Sequence, residues 1–548
     1  MSSVHVVAAA QKIDAPAVAG SATGYRIAGT VVSKSDGRPL ARTRITVRDT
    51  KDSKKFQSMV TAEDGRYEFS ELPAGKYSLM GAKRGFISAS YDQHDQYSTA
   101  IVTGAGIDTE SLVLRLAPDA VIAGKVLDES NEPVRNAQVT VYYDDHSSGV
   151  DQIRQFRSAQ ANDLGEYEIT PLQPGIYFLS ANGKPWYAIH PRSERNHSEP
   201  DNGDSNQPAA TPPTVDRSFD VAYPVTYYPD VTESDDAMPI PIRGGERVEA
   251  DIHLTPVPSL RLLFHVPDIG NRGFLIPQLQ EPAFDGYTSV QAAVTHVVSP
   301  GLVEVTGIPA GHYNVRLLGQ GQSLQMNGVD LAKDGEEIDT TRADAVSKVK
   351  FLVQVPGERT LPTTLSVGLR AGSRTATHAQ AIDTKGEAEL DQVAAGKYEV
   401  VLFGGGKPYS IAHISAEGAE VSGHAINVAA GSSPTVSLAL VGGSVEVQGR
   451  VTKAGKGMAG AMVVLVPKNV ELDHDLFRRD QSDLDGTFLL RNVVPGSYTL
   501  LAIENGWDLD WSKPGVIGVY LKGGRKIEVK DQGGAPMNVA EAIEVQSK

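Results

Sequence analysis

Five times along the chain, a polar turn ending in glycine gives way to a run of alternating apolar and polar residues. Each run then closes on a second turn and a tyrosine. The first copy reads Asp64-Gly65-Arg66-Tyr67-Glu68-Phe69-Ser70-Glu71-Leu72-Pro73-Ala74-Gly75-Lys76-Tyr77. In an extended strand Tyr67 and Phe69 fall on one side and Glu68 and Ser70 on the other, the period of two of a half-buried β-strand. Glycine before the run tolerates the positive φ of a tight hairpin turn. The frame returns at Gly165, Gly175 and Tyr177, then at Gly301, Gly311 and Tyr313. It recurs at Gly386, Gly396 and Tyr398, and closes at Gly486, Gly496 and Tyr498. The spacing is identical in all five copies, so the chain repeats one supersecondary unit.

Three copies also share a front. Gly29-Thr30-Val31 leads to Gly37-Arg38-Pro39-Leu40 and Arg44-Ile45-Thr46-Val47. Gly124-Lys125-Val126 leads to Glu132-Pro133-Val134 and Gln138-Val139-Thr140-Val141. Gly449-Arg450-Val451 leads to Gly457-Met458-Ala459-Gly460 and Met462-Val463-Val464-Leu465. In these copies a phenylalanine precedes the hairpin glycine by nine residues (Phe56, Phe156, Phe477), and an aromatic follows the tyrosine by nine (Phe86, Trp186, Trp507). The pattern predicts an all-β chain, a tandem array of five Greek-key β-sandwich modules of the immunoglobulin-like or transthyretin-like kind. The repeated tyrosine takes the place of a corner tyrosine, whose hydroxyl ties down a connection.

On these motifs the chain resembles the carboxypeptidase regulatory-like domain family, which has a transthyretin-like, carbohydrate-binding-like fold, with collagen-adhesin B-type repeats as relatives. The resemblance is full over modules one, two and five; over three and four, degenerate members, it rests on the glycine–glycine–tyrosine frame. It implies about seven strands per module and no activity of its own. Carboxypeptidases that carry such a domain have a zinc-binding catalytic domain beside it. No HExxH or other zinc pair occurs here, so peptidase activity does not transfer.

The repeat divides the chain into a flexible arm at 1–24 and modules at 25–117, 118–256, 257–341, 342–441 and 442–548. Module two carries a Ser/Asn/Pro-rich insertion at about 190–217, which reads as disordered. Short Pro-bearing junctions such as Ala117-Pro118-Asp119 restrict bending. Five modules in line would make a rod on the order of 150–200 Å.

With 548 residues, 40% hydrophobic and 22% charged, the chain is ordinary folded protein rather than a disordered tail. A net charge of −16 without a Lys/Arg-dense stripe argues against nucleic acid as a partner. The absence of cysteine removes disulfides, Fe–S clusters, thiol catalysis and Cys-ligated zinc. No run is long and apolar enough for a transmembrane segment. The start, with Val6-Val7-Ala8-Ala9-Ala10-Gln11, resembles the small-residue end of an export signal, truncated or removed, which points to a secreted, cell-surface or periplasmic protein.

The candidate chemistry is sparse. No catalytic residues, metal ligands or cofactors are assigned. Asp92-Gln93-His94-Asp95, Asp144-Asp145-His146 and Asp473-His474-Asp475 read as solvated loop charge, and Asp483-Leu484-Asp485-Gly486 as a hairpin turn. Exposed aromatics could stack on sugar rings while carboxylates accept hydroxyl hydrogen bonds. The candidates are Trp507, Asp508, Asp510 and Trp511 first, then Trp186 and Tyr187. The frame position shared by Phe86, Trp186 and Trp507 equally suits a plug at the end of each sandwich. The sequence therefore suggests a non-enzymatic structural or scaffold protein of the cell envelope, used for surface presentation, adhesion or assembly. Its partners would be other envelope proteins or further copies of itself. Polysaccharide binding through module five or two is the alternative, and fibre assembly by strand addition of the N-terminal arm is another.

Overall fold

The computed structural model describes residues 24–104, 106–146, 149, 151–190, 216–267, 275–290, 292–319, 322–340, 344–355, 361–362, 364–371, 378–403, 409–443, 445–471, 473–530 and 535–548. The N-terminal arm and nearly all of the module-two insertion lie outside these residues. The chain forms five β-sandwiches in tandem, each pairing a sheet of three to five strands with one of five. That is eight to ten strands per sandwich, more than seven, because short edge strands and divided closing strands add to the frame.

One topology recurs. In the first sandwich Tyr25–Ser33 lies between Arg66–Leu72, antiparallel, and Leu112–Leu116, parallel. Ala120–Leu127 lies likewise between Glu166–Leu172 and the closing strands Arg247–Glu249 and Ile252–His253. Val257–His265 is flanked by Leu302–Pro309 and Glu336–Asp339, and Ser347–Gln354 by Glu387–Val393 and Thr435–Gly442. In the last, Val445–Lys453 takes Thr487–Val493 on one side and Met537–Asn538 and Ile543–Glu544 on the other. The third and fourth sandwiches thus have both sheets although their aromatic frame is missing. Each sandwich encloses its own apolar core.

The repeated residues have repeated geometry. All five hairpin glycines sit at positive φ, between 68° and 83°, where a Cβ would strain the turn. All five tyrosines are buried, and each hydroxyl donates to the carbonyl four residues earlier. The acceptors are Pro73 (2.9 Å), Gln173 (2.8 Å), Pro309 (2.8 Å), Ala394 (2.9 Å) and Val494 (2.8 Å). Tyr313→Phe keeps the ring but leaves the Pro309 carbonyl without its donor. The third sandwich should lose about 1–2 kcal/mol, read by calorimetry as one unfolding transition moving down while the others stay; an unshifted scan would refute the tether.

The modules do not stand in line, which corrects the rod. Module two joins module three through the ladder of Val221–Ala222 with Val257 and Pro258, and through Phe284 set among Tyr142, Phe178 and Tyr227. Module five folds back onto modules one and two. The strand Met462–Pro467 explains the return: it is buried along its whole length, not alternately. One face looks into its own sandwich core. The other packs under Phe477, Trp507 and Ile517, with Tyr97 of module one against the same cluster. A strand apolar on both faces needs cover on both sides.

Candidate functional site

The seam between modules one and five is built from strand residues and the loops beside them. On module one they are Lys76 of the corner-tyrosine strand Gly75–Ala82 and residues of the loop at 91–100; on module five they lie on the edge strand Arg478–Gln481, the turn after it and the start of Thr487–Val493. Lys76 Nζ meets Asp483 at 2.5 Å and Thr487 Oγ1 at 2.8 Å. The Ala100 amide donates to Asp483 Oδ1 at 3.0 Å, and the Leu484 amide to the Ala100 carbonyl at 3.0 Å. Burial pushes the Asp483 carboxyl up, while Lys76 and the Ala100 amide pull it back. Gln481 donates to the Asp92 carbonyl at 2.5 Å and to Thr99 Oγ1 at 2.8 Å, and its Oε1 lies 3.1 Å from His94 Nδ1.

Arg479 is the centre of this seam. Its side chain is 4% exposed, and its guanidinium lies 4.2 Å from the Trp511 ring centroid, 5.3 Å from Tyr97 and 5.8 Å from Trp507. Asp95 of module one lies 3.3 Å away. A buried guanidinium is tolerable only with such partners, one carboxylate and three aromatic faces.

Module two closes the third side. Ser512 donates to the Gly149 carbonyl through its amide (3.2 Å) and its hydroxyl (2.8 Å), and Gly149 lies against the Trp511 indole, where a Cβ would come within 2.5 Å of the ring. A polar cleft of about 970 Å³ opens where the three modules meet, with Tyr91 and His94 from module one, Tyr143 and Asp145 from module two, and Arg479 from module five on its walls.

The first two acidic-histidine clusters keep solvent on one side but also reach module five. Asp92–Asp95 belongs to the module-one face of the seam, with Asp92 and Asp95 both at positive φ. In the second, Asp144, His146 and Asp151 bring one potential ligand atom each within 4.8 Å of one another, and Asp510 approaches His146 Nδ1 at 3.6 Å. Burial and the neighbouring Asp151 push the Asp144 carboxyl up. In the third, the described residues Asp473 and His474 enter a short 3-10 turn. Gly486 is the turn glycine expected, whereas Asp483 beside it is an interface residue.

The sugar-stacking candidates separate sharply. Trp507 is 9% exposed, stacked on His94 at 5.0 Å, with its indole N–H donated to the Gly460 carbonyl at 3.1 Å. Trp511 lies between Arg479 and Gly149 with Phe477 at its edge. Asp508 pairs with Lys548, and Asp510 with Lys513 at 2.6 Å. Module five thus offers neither indole face to a ligand among the described residues, because the seam uses both. Trp186 is the opposite case. It is 80% exposed, so the plug reading that fits Trp507 and the half-buried Phe86 fails for it. Tyr187 stands edge-on to Trp186 at 5.9 Å. The phenylalanine nine residues before the hairpin glycine splits in the same way: Phe56 and Phe156 are exposed, and Phe477 is buried.

The sequence reading missed Lys76, Tyr97, Thr99, Arg479, Gln481 and Asp483 as functional positions. The signal available was the unbroken apolar run Ala461–Val466, where the equivalent Arg44–Asp49 alternates.

No curated protein matches the chain. Solved structures similar to it include the Bacillus anthracis TIE protein (9% identity, 76% of this chain and 74% of that one, TM-score 0.18). Others are the minor pilin GBS52 of Streptococcus agalactiae (12%, 45% and 100%, TM-score 0.21) and BcpA, the major pilin subunit of Bacillus cereus (9%, 76% and 99%, TM-score 0.14). At these scores the likeness carries no weight for function. Residues 26–106, most of the first sandwich, match the model of the carboxypeptidase regulatory-like domain family.

Proposed function

We propose that this chain is a non-enzymatic structural protein of the cell exterior, a scaffold in which modules one, two and five close on one another and modules three and four bridge them. The observation that carries this reading is the seam around Arg479, which turns a tandem array into a closed body. Interfaces between domains in one chain are commonly small and leave the domains free to move. Here a buried guanidinium, a half-buried Lys76–Asp483 pair and a two-faced strand fix one orientation. A net charge of −16 keeps such a body soluble. Its partners are other envelope proteins or further copies, met through the outer faces of the sandwiches. Polysaccharide recognition by module five is no part of this reading, since Trp507 and Trp511 are covered.

Small-angle scattering tests the shape. A closed body should give a maximum dimension well short of the roughly 150–200 Å of five modules in line. A value within that range would overturn the scaffold as drawn.

A further inference from the structure

We propose that module two carries a binding site for neutral carbohydrate in the groove beside Trp186. The groove holds about 370 Å³, within the size range of small-ligand sites. Pro133, Val134 and Tyr223 form its floor, and Glu132, Arg135, Asp163 and Lys184 stand around it. Trp186 forms the rim.

Three observations point to this occupant. The first is the indole itself, the most exposed of the large apolar side chains described. The matching frame positions are covered: Phe86 is half-buried against the core of its own sandwich, and Trp507 lies under His94 and Tyr97. Among the described residues nothing covers Trp186, and an open aromatic plate is costly to leave in water.

The second is that the plate is braced. Tyr187 backs its edge, and Tyr187 and Tyr223 both donate their hydroxyls to Glu129, the latter at 3.2 Å. Phe219 closes on Tyr187 at 6.5 Å, and the Ile189 amide donates to the Phe219 carbonyl at 2.8 Å. The loop carrying Trp186 is thus pinned to the loop after Ala120–Leu127, so the ring is held ready beside the groove.

The third is the mixture of charges. Among the described residues the side chains of Glu132, Arg135 and Asp163 make no ion pair or hydrogen bond with one another or with a neighbour. Carboxylates that accept and a guanidinium that donates suit a ligand whose groups do both, as sugar hydroxyls do. A pyranose also presents a face of C–H groups that fits an indole plate. A phosphate-bearing ligand would meet Glu132 and Asp163 as like charges.

The test is binding of soluble neutral gluco-, manno- and galacto-oligosaccharides to the full chain. It is followed by calorimetry and by quenching of tryptophan fluorescence. At least one should bind the wild-type protein, and Trp186→Ala should weaken it at least about tenfold, with Trp186→Phe in between. Glu132→Gln with Asp163→Asn should also weaken it, and Trp511→Phe should leave it unchanged. Trp186 is exposed, so its substitution should leave the melting curve in place. The proposal is overturned if no neutral oligosaccharide binds, if only acidic glycans bind, or if Trp186→Ala binds as the wild type does. Any of these outcomes leaves the closed scaffold standing, since the groove lies outside the seam.

Discussion

Arg479→Ala should release module five from modules one and two while all five sandwiches stay folded. The substitution removes the one cation held by Tyr97, Trp507 and Trp511 and leaves Asp95 facing an emptied, partly buried space. Losing the desolvated stacking of the guanidinium on these rings costs on the order of 2 kcal/mol, a large share of what holds a seam of this kind. The chain has no cysteine, so single cysteines placed on the outer faces of modules one and five can carry a donor and an acceptor dye. Energy transfer should fall and the radius of gyration should rise in the variant. Arg479→Lys should restore part of the closure, because an ammonium keeps the charge but not the planar stacking on Trp511. Unchanged transfer in the alanine variant would mean that the remaining seam is sufficient and that Arg479 is not its centre.

Glu281→Gln should remove a pH dependence that belongs to the junction of modules two and three. Glu281 lies on Ile276–Ala283, and its Oε1 is sealed from solvent without a hydrogen-bond partner. Burial, with Glu233 adding to it, pushes its carboxyl up to about 8 from an ordinary 4.5. Between these values the folded chain holds a proton that the unfolded chain has released. Stability therefore falls as pH rises from about 5 to 8 and levels off above, by an amount on the order of 2–4 kcal/mol. Glutamine, which is never ionised, should flatten that slope and make the junction more stable than wild type at pH 8–9, with little difference near pH 5. Melting curves across pH 5–9 read this directly. A variant with the wild-type slope would place the titration elsewhere.

The contrast between these two sites explains what the sequence could and could not disclose. The hairpin glycines and corner tyrosines were legible because their partners are local: each hydroxyl reaches a carbonyl four residues away, and each turn is set by its own φ. The seam was not legible, since His94 and Gln481 lie 387 residues apart and are polar residues of a loop and a strand end. Each alone reads as a solvated polar group, and only the fold shows that they meet. The tryptophans show the same limit. Trp186 and Trp507 hold equivalent positions in the frame, yet one faces solvent and the other faces His94, because only the latter has a neighbouring module in front of it. The run Ala461–Val466 was the exception, a long-range fact written locally.

The seam also has a timetable. Arg479 is 384 residues beyond Asp95, so at ribosomal rates of 5–20 residues per second module one waits roughly 20–80 s for its partner to be made. During that wait its docking face shows Lys76, Asp92, His94, Asp95 and Thr99, groups that water satisfies. The apolar half, Met462, Phe477, Trp507 and Trp511, arrives later, on module five. Newly made chains therefore hold the sticky side of the joint for the shortest time, and it meets a finished, hydrated surface.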